Sequence, residues 1–146
     1  MIWQRINRED AERIFAIFQN VAGATITKGY VATFDVTATQ IDGVRVTKPA
    51  TATLSLVAGV AATDITNSSY GLFQVYGYCQ TAYVTNGTAG GTDVAAGDIL
   101  IPVNAQHYLT RSAASDGKTG FLFAGEAFAT ATTPAAANKK VFIKAL

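Results

Sequence analysis

The sequence predicts a mainly β protein, a compact antiparallel β-sandwich or barrel of short strands with a short N-terminal helix or arm. Three observations predict it. Ala, Thr and Gly dominate the composition, at 26, 19 and 13 of 146 residues, which favours strands, tight turns and close backbone approach over long helices. Apolar and polar residues alternate over many short runs. Turn-forming dipeptides separate those runs at close intervals.

The N-terminal segment is the exception to this pattern. Asn7 stands where a helix cap is expected, with Asp10 three residues on as a weaker capping-box partner. Ile6, Ile14, Phe15, Ile17, Phe18 and Val21 recur at helical spacing with charges between them. The spacing predicts a short amphipathic helix from about Arg8 to Phe18, inside an N-terminal helix or arm over 1–22. A single β-rich domain over 23–146 follows. The apolar face of the helix either packs on that domain or docks on another protein.

Beyond Gly23 the period changes to two. Val31, Thr33, Asp35 and Thr37 alternate with Ala32, Phe34 and Val36, and Ile41, Val44 and Val46 surround Asp42-Gly43, a dipeptide that promotes hairpin turns. Further strands are expected at Ala52 to Val57, Gly71 to Cys79, Thr81 to Thr85, Ile99 to Val103, His107 to Thr110, Thr119 to Phe128 and Lys140 to Lys144. Asn67-Ser68-Ser69, Asn86-Gly87 and Asp116-Gly117 are the turn signals between them.

An internal repeat is also visible. Gly29-Tyr30-Val31-Ala32 recurs in form as Gly97-Asp98-Ile99-Leu100, and Val57-Ala58-Gly59-Val60-Ala61 recurs as Phe123-Ala124-Gly125-Glu126-Ala127. Two pseudo-repeats, over about 27–80 and 95–146, account for both matches, with chance similarity in Ala-rich sequence as the competing explanation.

Length and charge narrow the function. A chain of 146 residues is one domain with enough Leu, Ile, Val and Phe to bury a core. Eleven basic against ten acidic side chains leave a net charge of +1, too little to neutralise phosphates, so no direct nucleic-acid partner is expected. Residues 1–20 lack the uninterrupted apolar core of a signal peptide. Leu54 to Ala62, the most apolar run, is too short to cross a bilayer, so no membrane partner is expected. One cysteine, Cys79, cannot form an internal disulfide, and with one histidine it does not make a zinc site. From Pro49 to Thr92 the only charge is Asp64, and so long an uncharged stretch requires a core or a partner to cover it.

Catalytic chemistry finds few groups to work with. His107 is the only histidine and lies beside Tyr108 in an expected strand, where a structural role fits better than a general base. Cys79 lies among Tyr76, Tyr78 and Tyr83 with no neighbouring base, as an inert buried thiol would. Ser112 to Thr119 ends like a phosphate-binding loop, but Ser112 replaces the required Gly and Phe121-Leu122-Phe123 reads as a strand where a helix is needed. Asn86 to Thr92 is a glycine-rich loop without lysine, and the aspartates form no calcium loop. No catalytic residue, cofactor site or metal site is therefore assigned.

The most distinctive segment is aromatic: Tyr70, Phe73, Tyr76, Tyr78 and Tyr83. In a strand over Leu72 to Tyr78, Leu72, Gln74, Tyr76 and Tyr78 share one face while Phe73, Val75, Gly77 and Cys79 share the other. Both faces are largely apolar, so the strand lies in a sandwich core or turns one face to a neighbouring subunit, where tyrosine is favoured.

Taken in order, Thr27-Lys28-Gly29-Tyr30-Val31, Val57-Ala58-Gly59-Val60-Ala61, Tyr70-Gly71-Leu72-Phe73-Gln74-Val75-Tyr76-Gly77, Ala95-Ala96-Gly97-Asp98 and Phe123-Ala124-Gly125-Glu126-Ala127 resemble the capsid decoration (cement) proteins of tailed bacteriophages. The resemblance spans roughly Ala24 to Lys144. It implies a small β-rich virion protein, made in the bacterial cytoplasm, that adds to the outside of an assembled head, often as a homotrimer, and strengthens it without an active site. The partners implied are the major capsid protein and further copies of the chain. On this reading Leu72, Tyr76 and Tyr78 are expected at the subunit interface and Ile14, Phe15, Ile17 and Phe18 at the capsid. The alternatives are a phage tail or surface adhesion module that binds carbohydrate through exposed tyrosines, and a small β-barrel enzyme that depends on His107.

Overall fold

The computed structural model describes residues 12–37, 42–86, 93–113, 121–129 and 135–145. The chain is mainly β. Its strands in chain order are β1 (Arg13–Asn20), β2 (Val31–Phe34), β3 (Arg45–Thr47), β4 (Val57–Ala61), β5 (Tyr70–Thr85), β6 (Ile99–Pro102), β7 (Leu109–Arg111), β8 (Leu122–Ala124) and β9 (Ala136–Lys144). One turn of 3-10 helix, Thr51–Thr53, precedes β4.

The nine strands form one mixed sheet that closes on itself twice. The run β1-β3-β2-β4-β5 closes because β5 also pairs with β1, and the run β5-β7-β6-β8-β9 closes because β9 also pairs with β5. Each ring includes one short parallel contact, β1 meeting β3 at Gln19 and Asn20 and β5 meeting β7 at Val84. All pairings are antiparallel except β1 with β3 and β5 with β7. The parallel pair occupies the same place in each ring, and every other pairing also has its counterpart. β1 to β5 and β5 to β9 thus follow one five-strand plan, with β5 as the last strand of barrel one and the first of barrel two.

The bonds also fix which residues correspond. Gly29 N–H donates to Ala61 O as Gly97 N–H donates to Ala124 O, and the bridge Ile26 to Ile65 corresponds to Val94 to Phe128. Ala58 to Ala61 therefore aligns on 121–124, three residues earlier than the match of Val57 to Ala61 on Phe123 to Ala127 suggests.

Among the described residues, the expected N-terminal helix does not form. Residues 1–11, with Ile6, Asn7 and Asp10, lie outside the described residues, and Arg13 to Asn20 is strand β1. The reason lies in the composition: Ile14, Phe15, Ile17 and Phe18 are β-branched or aromatic, and an apolar pair followed by another is equally compatible with a strand that has contacts on both faces. The unpaired side of β5 decides between the two, because β1 completes the ring against it from Arg13 opposite Gly77 to Gln19 opposite Tyr70. Within the segment 1–22, expected as a helix or arm, Arg13–Asn20 thus belongs to barrel one.

Other boundaries shifted as well. Gly71 to Cys79 and Thr81 to Thr85 lie in one 16-residue strand, and of Ala52 to Val57 only Val57 is strand, Ala52 and Thr53 belonging to the 3-10 turn. The turn expected at Asp116-Gly117 lies outside the described residues.

Each barrel has its own core. Barrel one is filled by Ile26, Val46, Ile65 and Phe73, with Phe18 and Phe34 packed against them. Barrel two is filled by Leu100, Leu109, Leu122, Val141 and Ile143, together with Val31, Val57 and Val60, which come from β2 and β4 of barrel one. Gly77 is the junction. It pairs with Arg13 on one side and Ile143 on the other, has φ of +94°, and a Cβ there would collide with the Glu12 carbonyl, so only glycine fits.

Candidate binding surface

The outer face of β1 and β5 in barrel one carries the largest concentration of exposed apolar side chains. Strand alternation sends Ala16 and Phe18 inward, Phe18 onto Phe34 and Phe73 at ring separations of 5.3 and 5.7 Å, and leaves Phe15 and Ile17 outside. Ile17 stands directly opposite Leu72, and Gln19 opposite Tyr70. Ile17 is 63% exposed, Tyr70 62%, Leu72 45% and Phe15 44%. Scattered exposed hydrophobics are ordinary; cross-strand neighbours on one face mark an interaction surface.

The residues expected at two separate contacts are brought together here, with one exception. Ile14 lies opposite Tyr76 across the same strand pair, at the register shift between Ile14 and Phe15. Tyr76 packs edge-on to Phe142 at 5.6 Å, and Tyr78 lies opposite Phe142, so the surface continues toward β9 with Tyr76 and Tyr78 half-buried. Phe18 is the exception, because its ring belongs to the barrel-one core. Gln74 also departs from the expected alternation: it is buried, and its amide donates to the Tyr76 and Tyr78 carbonyls, which braces β5 beside the junction. Two contributors were not singled out from the sequence. Val44 is exposed beside β1, where its carbonyl accepts from Gln19 N–H, and Phe142 is exposed on β9. Period-two reading of β9 marks Phe142 as outward; nothing local marks Val44.

A second aromatic group lies at the seam between the barrels. Tyr30, Tyr83 and Tyr108 pack on one another at 5.2 to 6.2 Å, and the His107 ring stacks on Tyr30 at 5.1 Å. His107 Nδ1 is 2.8 Å from the Val31 carbonyl, an acceptor, so Nδ1 carries the proton; the His107 carbonyl accepts from Val31 N–H in return. Burial pushes the His107 pKa below its ordinary value, and Lys48 adds to that shift, against the opposing effect of the Val31 bond. Burial beside Tyr108 and Tyr83 raises the Tyr30 pKa. These rings join β2 of barrel one to β5 and the β6–β7 turn of barrel two. Cys79 is buried in the barrel-two core.

Two buried asparagines hold the barrel ends. Asn20 donates to the Ala24 and Ile65 carbonyls and accepts from Ala22 N–H; Asn86 donates to Ala129 O and accepts from Ala135 N–H. Their backbone N–H groups bond Ser69 O and Ala135 O, at matching points of the two rings. Among the described residues no cluster of three His, Cys, Asp or Glu could hold a metal ion, and no helix is long and apolar enough to cross a membrane.

No protein-family model matches the chain, and no curated protein matches it.

Proposed function

We propose that this chain is a virion structural protein that binds the outside of an assembled phage capsid and stabilises it as a decoration protein. The observation that carries the reading is the exposed apolar face of β1 and β5, where Phe15 and Tyr70 flank the opposed pair Ile17 and Leu72. Burying each large apolar group of such a face on a partner contributes on the order of 1.5 to 3 kcal/mol. The resemblance to phage decoration proteins supplies the identity of the partner, the major capsid protein. A protein that binds only the assembled shell stabilises that shell by mass action, and a trimer multiplies the effect through avidity. The proposed role needs no catalytic group. The carbohydrate reading has less to stand on, since Tyr83 is packed against Tyr30 and Tyr108 and only Tyr70 among the tyrosines is strongly exposed.

The test is to label virions recovered from the cells that make the chain with an antibody to it, and to measure co-sedimentation of purified protein with heads stripped of it. Label on the heads, together with at least a tenfold loss of co-sedimentation in Phe15→Asp/Tyr70→Asp at unchanged melting temperature, is expected. Label confined to tails, or no label on any particle, overturns the reading.

A further inference from the structure

The chain covers one of its own surfaces with another, and both surfaces recur uncovered. The strand registers make Ile17 and Leu72 in barrel one the counterparts of Tyr83 and Asn138 in barrel two, since each pair is directly opposed between the first and last strands of its ring. By the same reasoning Val31 corresponds to Ile99, through the pairs Val31 with Val60 and Ile99 with Phe123. Val44 corresponds to His107, because Asp35 N–H bonds Arg45 O where Val103 N–H bonds Tyr108 O.

Within the chain, the turn ending in Gly29 and Tyr30 sits on barrel two. Tyr83 N–H donates to Gly29 O at 2.8 Å, Val31 N–H donates to His107 O at 3.1 Å, and a Cβ on Gly29 would collide with the Thr81 carbonyl. The matching turn of barrel two, Ala95 to Asp98, carries an Arg111 ion pair at Asp98 but no turn packed over Gly97 among the described residues. Gly97 has φ of +91° against +88° for Gly29, yet open space where its Cβ would be, and Ile99 is exposed where Val31 is fully buried. The matching face of barrel one is equally bare: Ile17, Leu72 and Val44 are all exposed. Ile17 and Val44 are more apolar than their partly buried counterparts Tyr83 and His107, the reverse of what solvent exposure favours, and Leu72 stands where barrel two has the polar Asn138.

We propose that a second copy of this chain docks its Ala95 to Ile99 turn on the Ile17, Leu72 and Val44 face of the first, head to tail, so that the seam inside each chain is repeated between chains. An interface between two different patches of one chain is heterologous, and it closes into a ring or runs on as a filament according to the rotation per step. The inference goes beyond the capsid reading, for it assigns Ile17, Leu72 and Val44 to a second copy without requiring a shell and leaves the flanking Phe15 and Tyr70 to the capsid.

The experiment uses two single variants, Val44→Cys and Ile99→Cys, whose counterparts His107 and Val31 share a backbone hydrogen bond within the chain. Both positions are exposed, and unchanged melting temperatures check the fold. Under mild oxidation the mixture is expected to give a covalent species of twice the 15.3 kDa chain mass, neither variant alone does so, and adding Ile17→Asp to the Val44→Cys chain abolishes the product. Absence of the product from the mixture, or equal product from either variant alone, overturns the proposal. Product in the mixture without head labelling of virions overturns the capsid reading and leaves this one standing; head labelling without product does the reverse.

Discussion

The two barrels share a strand plan and fill it differently. Barrel one closes over aromatic rings, with Phe73 wholly buried between Phe18 and the aliphatic residues around it. Barrel two closes over Leu100, Leu109, Leu122 and Ile143 and gathers three further valines from the outside of barrel one. One ring topology therefore accepts two packings of similar volume, as closed barrels do when inward positions are apolar and of suitable size. The difference teaches that barrel two rests on barrel one as a substrate for its core, whereas barrel one leaves its corresponding outer face exposed.

The sharpest test of that asymmetry is truncation of the two cores. Phe73→Ala is expected to cost about 3 to 5 kcal/mol and Leu109→Ala about 2 to 5 kcal/mol. Because β5 belongs to both rings, both variants should melt in a single transition by calorimetry. Two separated transitions would show that the rings fold as independent units, and the comparison would have to be drawn between domains instead.

Next in size is the glycine pair. Gly29→Ala forces a Cβ against the Thr81 carbonyl as well as into a positive φ, whereas Gly97→Ala meets only the backbone strain, of order 1 kcal/mol. Chemical denaturation should rank Gly29→Ala well below Gly97→Ala in stability. Equal losses would mean that the seam yields to the added methyl.

The asparagine pair gives a smaller contrast. Asn20→Ala leaves three backbone groups without their side-chain partner and Asn86→Ala leaves two, so both should destabilise by about 1 to 3 kcal/mol, with Asn20 the more costly. The reverse order in urea melts would place the greater burden on the barrel-two end.

The smallest effect is expected from pH. The depressed His107 pKa means that the unfolded chain binds a proton more readily than the folded one, so stability rises with pH in this range. The His107 contribution is fully present above the ordinary value of 6.5 and is lost as pH falls from there toward the folded-state value. In His107→Asn, which keeps a donor and cannot titrate, the stability profile below pH 6.5 should flatten relative to the natural chain. An unchanged slope would assign the acid sensitivity to other groups.

Much of the fold was legible in local pattern. The composition and the period-two runs give the β class, and Asp42-Gly43 gives the turn before β3, where Asp42 accepts from the Val44 and Arg45 N–H groups and Gly43 has φ of +67°. The burial of Phe73, Val75, Gly77 and Cys79 on one side of β5 also follows from simple alternation. What local pattern missed was β1. Ile14, Phe15, Ile17 and Phe18 satisfy a helical stripe and a two-sided strand equally well, and only the open side of β5 distinguishes the two. The binding surface was half legible for the same reason: Leu72 and Ile17 were each singled out, but as members of different contacts.

The sequence by itself determined that this chain would build strands, that Asp42-Gly43 and Asn67-Ser68-Ser69 would turn, and that an uncharged stretch from Pro49 to Thr92 would need covering. Those properties are local, set by side-chain shape, backbone freedom and the spacing of polar groups. Only the tertiary structure decided that β5 would serve two barrels, that His107 would bond Val31, and that Ile17 would meet Leu72. Each of these depends on pairing between residues far apart in sequence, where closure of a ring selects one register among several that local preference allows.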